Sequence, residues 1–179
     1  LSITYLPAAG SGGGGGGGGG SSLLAAGTQQ RSAPSITEAQ VDRIASEAVR
    51  RWTSKLPQAN RADARNLLNS LTFQVTTLSG NTLAESRGDI ILIDVNAAGR
   101  GWYVDISPEN DSEYIGLLAG HNAAATRHID LLSAVAHEMG HALGIDAHSL
   151  TGVMAESLSP GRRAVPKSPS SASKSSAPR

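Results

Sequence analysis

Residues 130–145 read Asp-Leu-Leu-Ser-Ala-Val-Ala-His-Glu-Met-Gly-His-Ala-Leu-Gly-Ile, and they limit the fold more than any other stretch. Asp130 is a good helix N-cap. At 100° per residue, Leu131, Leu132, Val135, Met139, Ala142 and Leu143 fall on an arc about 120° to 240° from His137. His141 falls about 40° from His137, Asp130 about 20° and Ala134 about 60°. The expectation is a helix with a buried stripe and a separate histidine stripe. Histidines held in a core by hydrogen bonds would sit within the apolar arc, and this pair lies outside it.

Two histidines four apart on one helix face can reach a single ion. Zinc takes neutral imidazole nitrogens at about 2.0–2.1 Å. Glu138 is turned about 100° from His137, too far round to join the stripe. Its expected place is beside a water on the metal. Zinc lowers the pKa of such a water from 15.7 to about 7, and a neighbouring carboxylate can take its proton and pass it to a leaving amine. Gly144 suits the left-handed turn at a helix C-terminus and would swing the chain back toward the metal. A third histidine, His148, follows. Three protein ligands leave a fourth position open, as catalytic zinc requires.

The 179 residues are not all foldable. Nine consecutive glycines occupy positions 12–20, with Ser11, Ser21 and Ser22 around them. Such a tract buries nothing and reads as a linker, so residues 1–33 are assigned to a flexible Gly/Ser-rich segment. Residues 164–179 are Ser, Pro, Ala and Lys without apolar periodicity and read as a disordered basic tail. One compact domain, residues 34–163, remains. Five basic and no acidic residues follow Glu156, an excess read as a solubilising extension. The chain begins at Leu1 rather than Met, which reads as a piece of a longer polypeptide.

Within that domain, Thr37 and Gln40 fit a capping box. Val41, Ile44, Ala45, Ala48 and Trp52 then recur at helical spacing, predicting an amphipathic helix that ends before Pro57. A shorter helix after Asn60 carries Ala64, Leu67 and Leu68. Alternation at 72–78 and the apolar run at 89–95 predict strands, the second buried on both faces. Residues 102–106 are expected as a third strand, in a hairpin with the preceding one. A polar loop over 108–113, a short strand over 115–118 and a small-residue loop over 121–126 complete the order. His121 and His128 are read as surface loop residues.

The stretch His137-Glu138-Met139-Gly140-His141-Ala142-Leu143-Gly144, with His148 and Met154 downstream, resembles the metzincin zinc endopeptidases. It resembles most the matrixin-like domains of large secreted or surface bacterial proteins. Two further segments are similar to those domains, residues 98–105 (Ala-Gly-Arg-Gly-Trp-Tyr-Val-Asp) and 129–132. The resemblance spans about residues 36–163. It implies three zinc-binding histidines (His137, His141, His148), a catalytic Glu138 and a methionine turn at Met154 beneath the metal. It also implies an α+β fold, with a twisted, mostly parallel sheet over the active-site helix, and a secreted or cell-surface location. The family pattern places two residues between the glycine and the third histidine. Here three separate Gly144 from His148, and Ala147 holds the usual ligand position. Asp146 is the alternative third ligand and Glu156 a further one. No tyrosine ligand follows Met154, and no cysteine-switch propeptide is present.

The leading reading is a zinc metalloendopeptidase acting on protein or peptide, a monomeric domain of a longer chain with one catalytic zinc. The alternative is a non-catalytic module of the same fold, a structural or adhesive end domain of a large bacterial surface protein. Fifteen basic residues balance fifteen acidic ones, and the few aromatics are scattered, so nothing points to nucleic acid. No apolar run reaches transmembrane length. The absence of cysteine excludes disulfides, thiolate metal sites and cysteine nucleophiles. Asp105, Asn110, Asp111 and Glu113 carry oxygen ligands of the kind calcium takes, but their spacing matches no calcium loop. Leu158, Pro160 and Arg162 are candidates for the wall of a specificity pocket.

Overall fold

The computed structural model describes residues 22–30, 32–120, 122–145, 152–164 and 166. Its elements run β1 Ser22–Ala25, α1 Glu38–Lys55, a 3-10 turn Gln58–Asn60, α2 Arg61–Asn69, β2 Thr72–Thr76, β3 Thr82–Arg87 and β4 Ile90–Asp94. Then follow β5 Trp102–Tyr103, β6 Tyr114–Ile115, β7 Leu118–Ala119, α3 Ala123–Arg127, β8 Ile129–Asp130, α4 Leu131–Ala142 and β9 Ser157–Leu158. The fold is α+β.

The expected first helix is α1. Thr37 caps it, its hydroxyl accepting from Gln40 N while Gln40 Oε1 accepts from Thr37 N at 2.9 Å. Val41, Ile44, Ala45, Ala48 and Trp52 are all buried. Full burial is worth about 1.5–3 kcal/mol for each large apolar side chain, more than helix propensity supplies. α1 packs along α4, and the Trp52 indole N–H donates to Ala136 O of α4 at 2.8 Å.

The main sheet has the strand order β2-β4-β3-β1-β9. β2 with β4 and β1 with β9 are parallel, whereas β3 is antiparallel to both β4 and β1. Four of the five strands thus run the same way and β3 alone opposes them, a mostly parallel sheet with one antiparallel strand, as expected. β3 and β4 join through a two-residue turn in which Gly88 takes φ 65°, a conformation that suits a tight hairpin.

Two expectations differ from the structure, one read from composition and one from strand pattern. Ser22–Ala25 lies in the sheet between β3 and β9, so ordered structure begins upstream of the expected boundary at residue 34. Residues 1–21 and 167–179 lie outside the described residues. The segment 102–106 does not form a hairpin with β4. Trp102 and Tyr103 pair instead, in parallel, with Ile129 and Asp130. Asp94 explains the departure. Its carboxylate accepts the N–H groups of Asn96 and Ala98, and Ala97 and Ala98 adopt φ 57° and 49°. This turn carries the chain out of the sheet, and Trp102 Nε1 donates back to Asp94 O at 2.7 Å.

The expected loop at 121–126 contains α3, capped by the Asn122 side chain on the N–H groups of Ala124 and Ala125. His121 lies outside the described residues. His128 ends α3, half-buried, with its ring against Gly101. Among the described residues no helix is long and apolar enough to cross a membrane.

Candidate metal centre

α4 begins where the sequence places it. Asp130 Oδ2 accepts Ser133 N at 3.0 Å, an N-cap fixed from a second direction by the Ser133 hydroxyl. The end also matches. Gly144 takes φ 76°, its N–H reaches His141 O at 2.8 Å, and Ile145 N reaches Gly140 O at 3.0 Å. This pair of bonds is a Schellman cap, which needs a left-handed residue after the last turn.

The separate histidine stripe needs correction. Residues 131–140 are buried on every side, and His137 is only 1% exposed. The two histidines still turn the same way. His137 Nδ1 lies 2.8 Å from Val153 O. A carbonyl only accepts, so Nδ1 carries a proton and donates, and Nε2 is the ring nitrogen turned to His141. That Nε2 lies 3.0 Å from His141 Nε2, with the ring planes at 75°. Two nitrogens bound to one tetrahedral zinc lie about 3.3 Å apart. The pair is therefore close to the bite of a shared cation, and its imidazole donors suit zinc.

Glu138 is anchored on β3. Its carboxylate is fully buried, with Oε2 accepting from Ser86 Oγ of β3 at 2.7 Å and Oε1 lacking a hydrogen-bond partner. Burial pushes its pKa up to about 7, partly offset by the Ser86 hydroxyl and the Leu23 backbone amide. A carboxyl tuned near neutrality can both take and give a proton at physiological pH.

Residues 152–155 form a turn, with Ala155 N on Gly152 O at 3.2 Å. This turn supplies Val153 O to His137 and sets the Met154 side chain against Gly140. A Cβ on Gly140 would run into Met154 Sδ and come within 3.1 Å of Trp52. Gly140 is therefore what allows the turn to lie against the helix.

His148, the expected third ligand, lies outside the described residues, as does its alternative Asp146. Glu156 is exposed, and its backbone carbonyl accepts Leu24 N at 3.0 Å. Among the described residues no group of three or more His, Asp or Glu side chains gathers as a metal site.

Two of the calcium candidates, Asp105 and Asp111, are engaged by Arg163, whereas Glu113 Oε2 is buried without a hydrogen-bond partner. Asp105 Oδ2 and Asp130 Oδ1 both accept from Arg163 Nη2, at 2.7 and 2.8 Å, and Asp111 Oδ1 accepts from Arg163 Nη1 at 2.8 Å. Burial alone would disfavour the Arg163 cation, but Asp130 more than offsets this and raises its pKa. Its guanidinium also lies 4.3 Å from the centroid of the Tyr114 ring. Arg163 was grouped with a solubilising tail, whereas it is buried and clamps the segment after Met154 to the start of α4. Composition cannot distinguish such an arginine from a solvated one. Ser86 was likewise missed, since the sequence of β3 has no alternating apolar pattern. Of the pocket-wall candidates, Leu158 is buried, Pro160 lies against Gly27 and Arg162 is exposed.

A scan against protein-family models finds no matching family, and searches of curated proteins and of solved structures find no match.

Proposed function

We propose that the chain is a zinc-dependent endopeptidase of the metzincin type, resembling the matrixin-like domains of large secreted or surface bacterial proteins. The observation that carries the reading is the convergence of two imidazole Nε2 atoms at 3.0 Å, one of them oriented by Val153 O, beside a buried glutamate. The turn bearing Met154, which lies against Gly140 of the same helix, supports it, as the counterpart of the methionine turn of that family.

In this reading His137 and His141 would hold the metal through Nε2, with His148, outside the described residues, as the expected third ligand. Zinc, when bound, polarises a peptide carbonyl and acidifies a nearby water. Ser86 fixes Glu138 Oε2, which leaves Oε1 to take the proton of the attacking water. The same oxygen then returns the proton to the leaving amine. Val153 holds His137 in the tautomer that exposes the Nε2 lone pair.

The test is Glu138→Gln in the full chain. Cleavage of an unfolded protein substrate should fall at least about 100-fold, the low end of general-base contributions, with zinc content unchanged. Undiminished cleavage would refute the role of Glu138. Bound zinc without turnover in the wild type would favour the non-catalytic end module.

A further inference from the structure

Six large apolar side chains are exposed among the described residues, and three of them stand together on the hairpin β6–β7. Ile115 is 67% exposed, Leu118 57% and Leu117 36%. Single aliphatic side chains on a surface are ordinary, whereas a contiguous apolar patch marks a contact surface. Tyr114 pairs with Ala119 and Ile115 with Leu118, so Gly116 and Leu117 form the tip, with Gly116 at φ 67°. A lone two-stranded hairpin is marginal in water, and this one is anchored at its root. Arg163 N donates to Leu117 O at 3.0 Å, Ala119 N to Gly161 O at 2.8 Å and Gly120 N to Glu113 O at 2.9 Å. Tyr114 is buried, with the Arg163 guanidinium over its ring. The three aliphatic side chains take no part in these bonds and lie outside both buried clusters of the fold.

Cations border the patch. Leu118 forms an antiparallel bridge with Arg162. Arg127 precedes His128, whose carbonyl accepts Gly161 N at 3.2 Å. Both arginines are exposed, and neither has an ion pair among the described residues. Lys167, Lys174 and Arg179 follow in the sequence, with no acidic residue after Glu156. Of the acids before the hairpin, Asp111 is paired with Arg51 and Arg163, Glu113 is half-buried and Glu109 is exposed.

We propose that the β6–β7 tip docks this protein on an anionic lipid bilayer, with Ile115, Leu117 and Leu118 entering the boundary between headgroups and acyl chains and Arg127 and Arg162 facing the headgroup phosphates. The two features together select this occupant. An apolar groove on another protein would take the aliphatic tip without calling for the arginines, whereas a charged bilayer surface uses apolar area and positive charge at once. One apolar signal alone gives marginal, reversible attachment, and a basic patch is the kind of second signal that makes it stable. The inference goes beyond the endopeptidase reading and does not depend on it.

The experiment uses the full chain and large vesicles of phosphatidylcholine, with or without about 30% phosphatidylglycerol to supply negative charge. Two cations near a charged surface, at roughly fivefold each, should make co-sedimentation with the anionic vesicles at least about tenfold tighter than with the neutral ones. Raising salt from about 0.05 to about 0.5 M should cancel that preference. Arg127→Gln combined with Arg162→Gln should lower it at least about fivefold. Ile115→Ser, Leu117→Ser and Leu118→Ser combined should weaken binding at least about tenfold, with the thermal unfolding curve unchanged. Equal binding to both vesicles, no binding to either, or full binding by the serine variant overturns the proposal. A concentration-dependent dimer that the serine substitutions abolish, without vesicle binding, overturns it too and assigns the tip to a second copy of this chain. A second measurement leaves the rest of the tip intact. The chain has no cysteine, so Leu117→Cys carries a single environment-sensitive dye. Its emission should shift to the blue on anionic vesicles and stay in place on neutral ones. No shift leaves the tip in water and overturns the proposal. Neither readout needs zinc or hydrolysis, so failure here leaves the endopeptidase reading standing.

Discussion

Substituting Arg163 by methionine tests the clamp that ties the segment after Met154 to α4. Methionine keeps much of the length and apolar stem but removes the cation. Asp105 and Asp130 are both buried, and each loses its ion pair with Arg163. Removing one partner of a buried pair costs about 3–5 kcal/mol, because the charge left behind is uncompensated. Some compensation survives. Ser133 N and its hydroxyl still donate to Asp130, and Ser107 N still donates to Asp105. Asp111 adds little, since it is 43% exposed and keeps Arg51. The loss of the guanidinium over Tyr114 adds about 0.5–1 kcal/mol. The expected total is about 4 kcal/mol. At about 2–4 °C per kcal/mol for a domain of this size, Tm should fall by about 8–16 °C. Thermal unfolding followed by circular dichroism at pH 7 measures this. Adding Asp105→Asn to Arg163→Met should recover part of the loss, as expected of residues coupled through one charge network. A fall below about 3 °C, or no recovery in the double variant, would refute the idea that uncompensated carboxylates set the cost.

Gly140→Ala gains helix propensity of about 1 kcal/mol but overpacks the helix against Met154 and Trp52, at about 1–3 kcal/mol. Tm should fall or stay level and zinc affinity should drop as the turn shifts from His137; a Tm rise above about 3 °C would refute the packing argument. Burial pushes the Asp111 carboxyl upward, but hydrogen bonds from Arg51 and Arg163 more than offset it and hold its pKa below the usual range. A depressed folded pKa gives stability that is present above the unfolded value near 4 and lost as pH falls below it. Asp111→Asn should therefore flatten the acid limb of a Tm-against-pH curve below about pH 4, and an unchanged limb would assign it to other carboxylates. His141→Ala should weaken zinc binding at least about 100-fold by calorimetry while leaving the α-helical signal intact, and retained affinity would dismiss the histidine pair as ligands.

α1 and α4 were legible because each carries its own punctuation, whereas α3 was read as a loop. Thr37 with Gln40, Asp130 and Gly144 mark their ends, and an apolar period fills the space between. The run at Ile90–Asp94 was legible as a buried strand for the same local reason. What escaped is nonlocal. Ser22–Ala25 is too short, and too close to a glycine tract, to stand out until β3 and β9 flank it. The pairing of Trp102 with Ile129 depends on the carboxylate of Asp94 turning the loop, which no periodicity announces. At the candidate centre, the spacing of His137 and His141 identified a pair, and their Nε2 atoms do meet. Their supports, Val153 O and Ser86 Oγ, could not be seen, since one is a backbone group 16 residues away and the other lies on an unpatterned strand. A helical wheel presumes a wet side, whereas α4 is enclosed through Gly140 and only its last residues, His141 and Ala142, are half-buried.

That enclosure bears on how a metal would be acquired. α4 is held at its first turn by Asp130, at Ala136 by the Trp52 indole, at His137 by Val153 and at its end by Gly144. Each of these contacts is made by protein alone. In a small zinc finger the ion supplies the folding free energy, and the apo chain is unfolded. Here four protein contacts fix the helix that carries the histidines, so little ordering entropy should be left for binding to spend. The apo protein should be a folded receptor, loading its metal as a late step after the core has closed, with chelation reversible and without collapse of the fold.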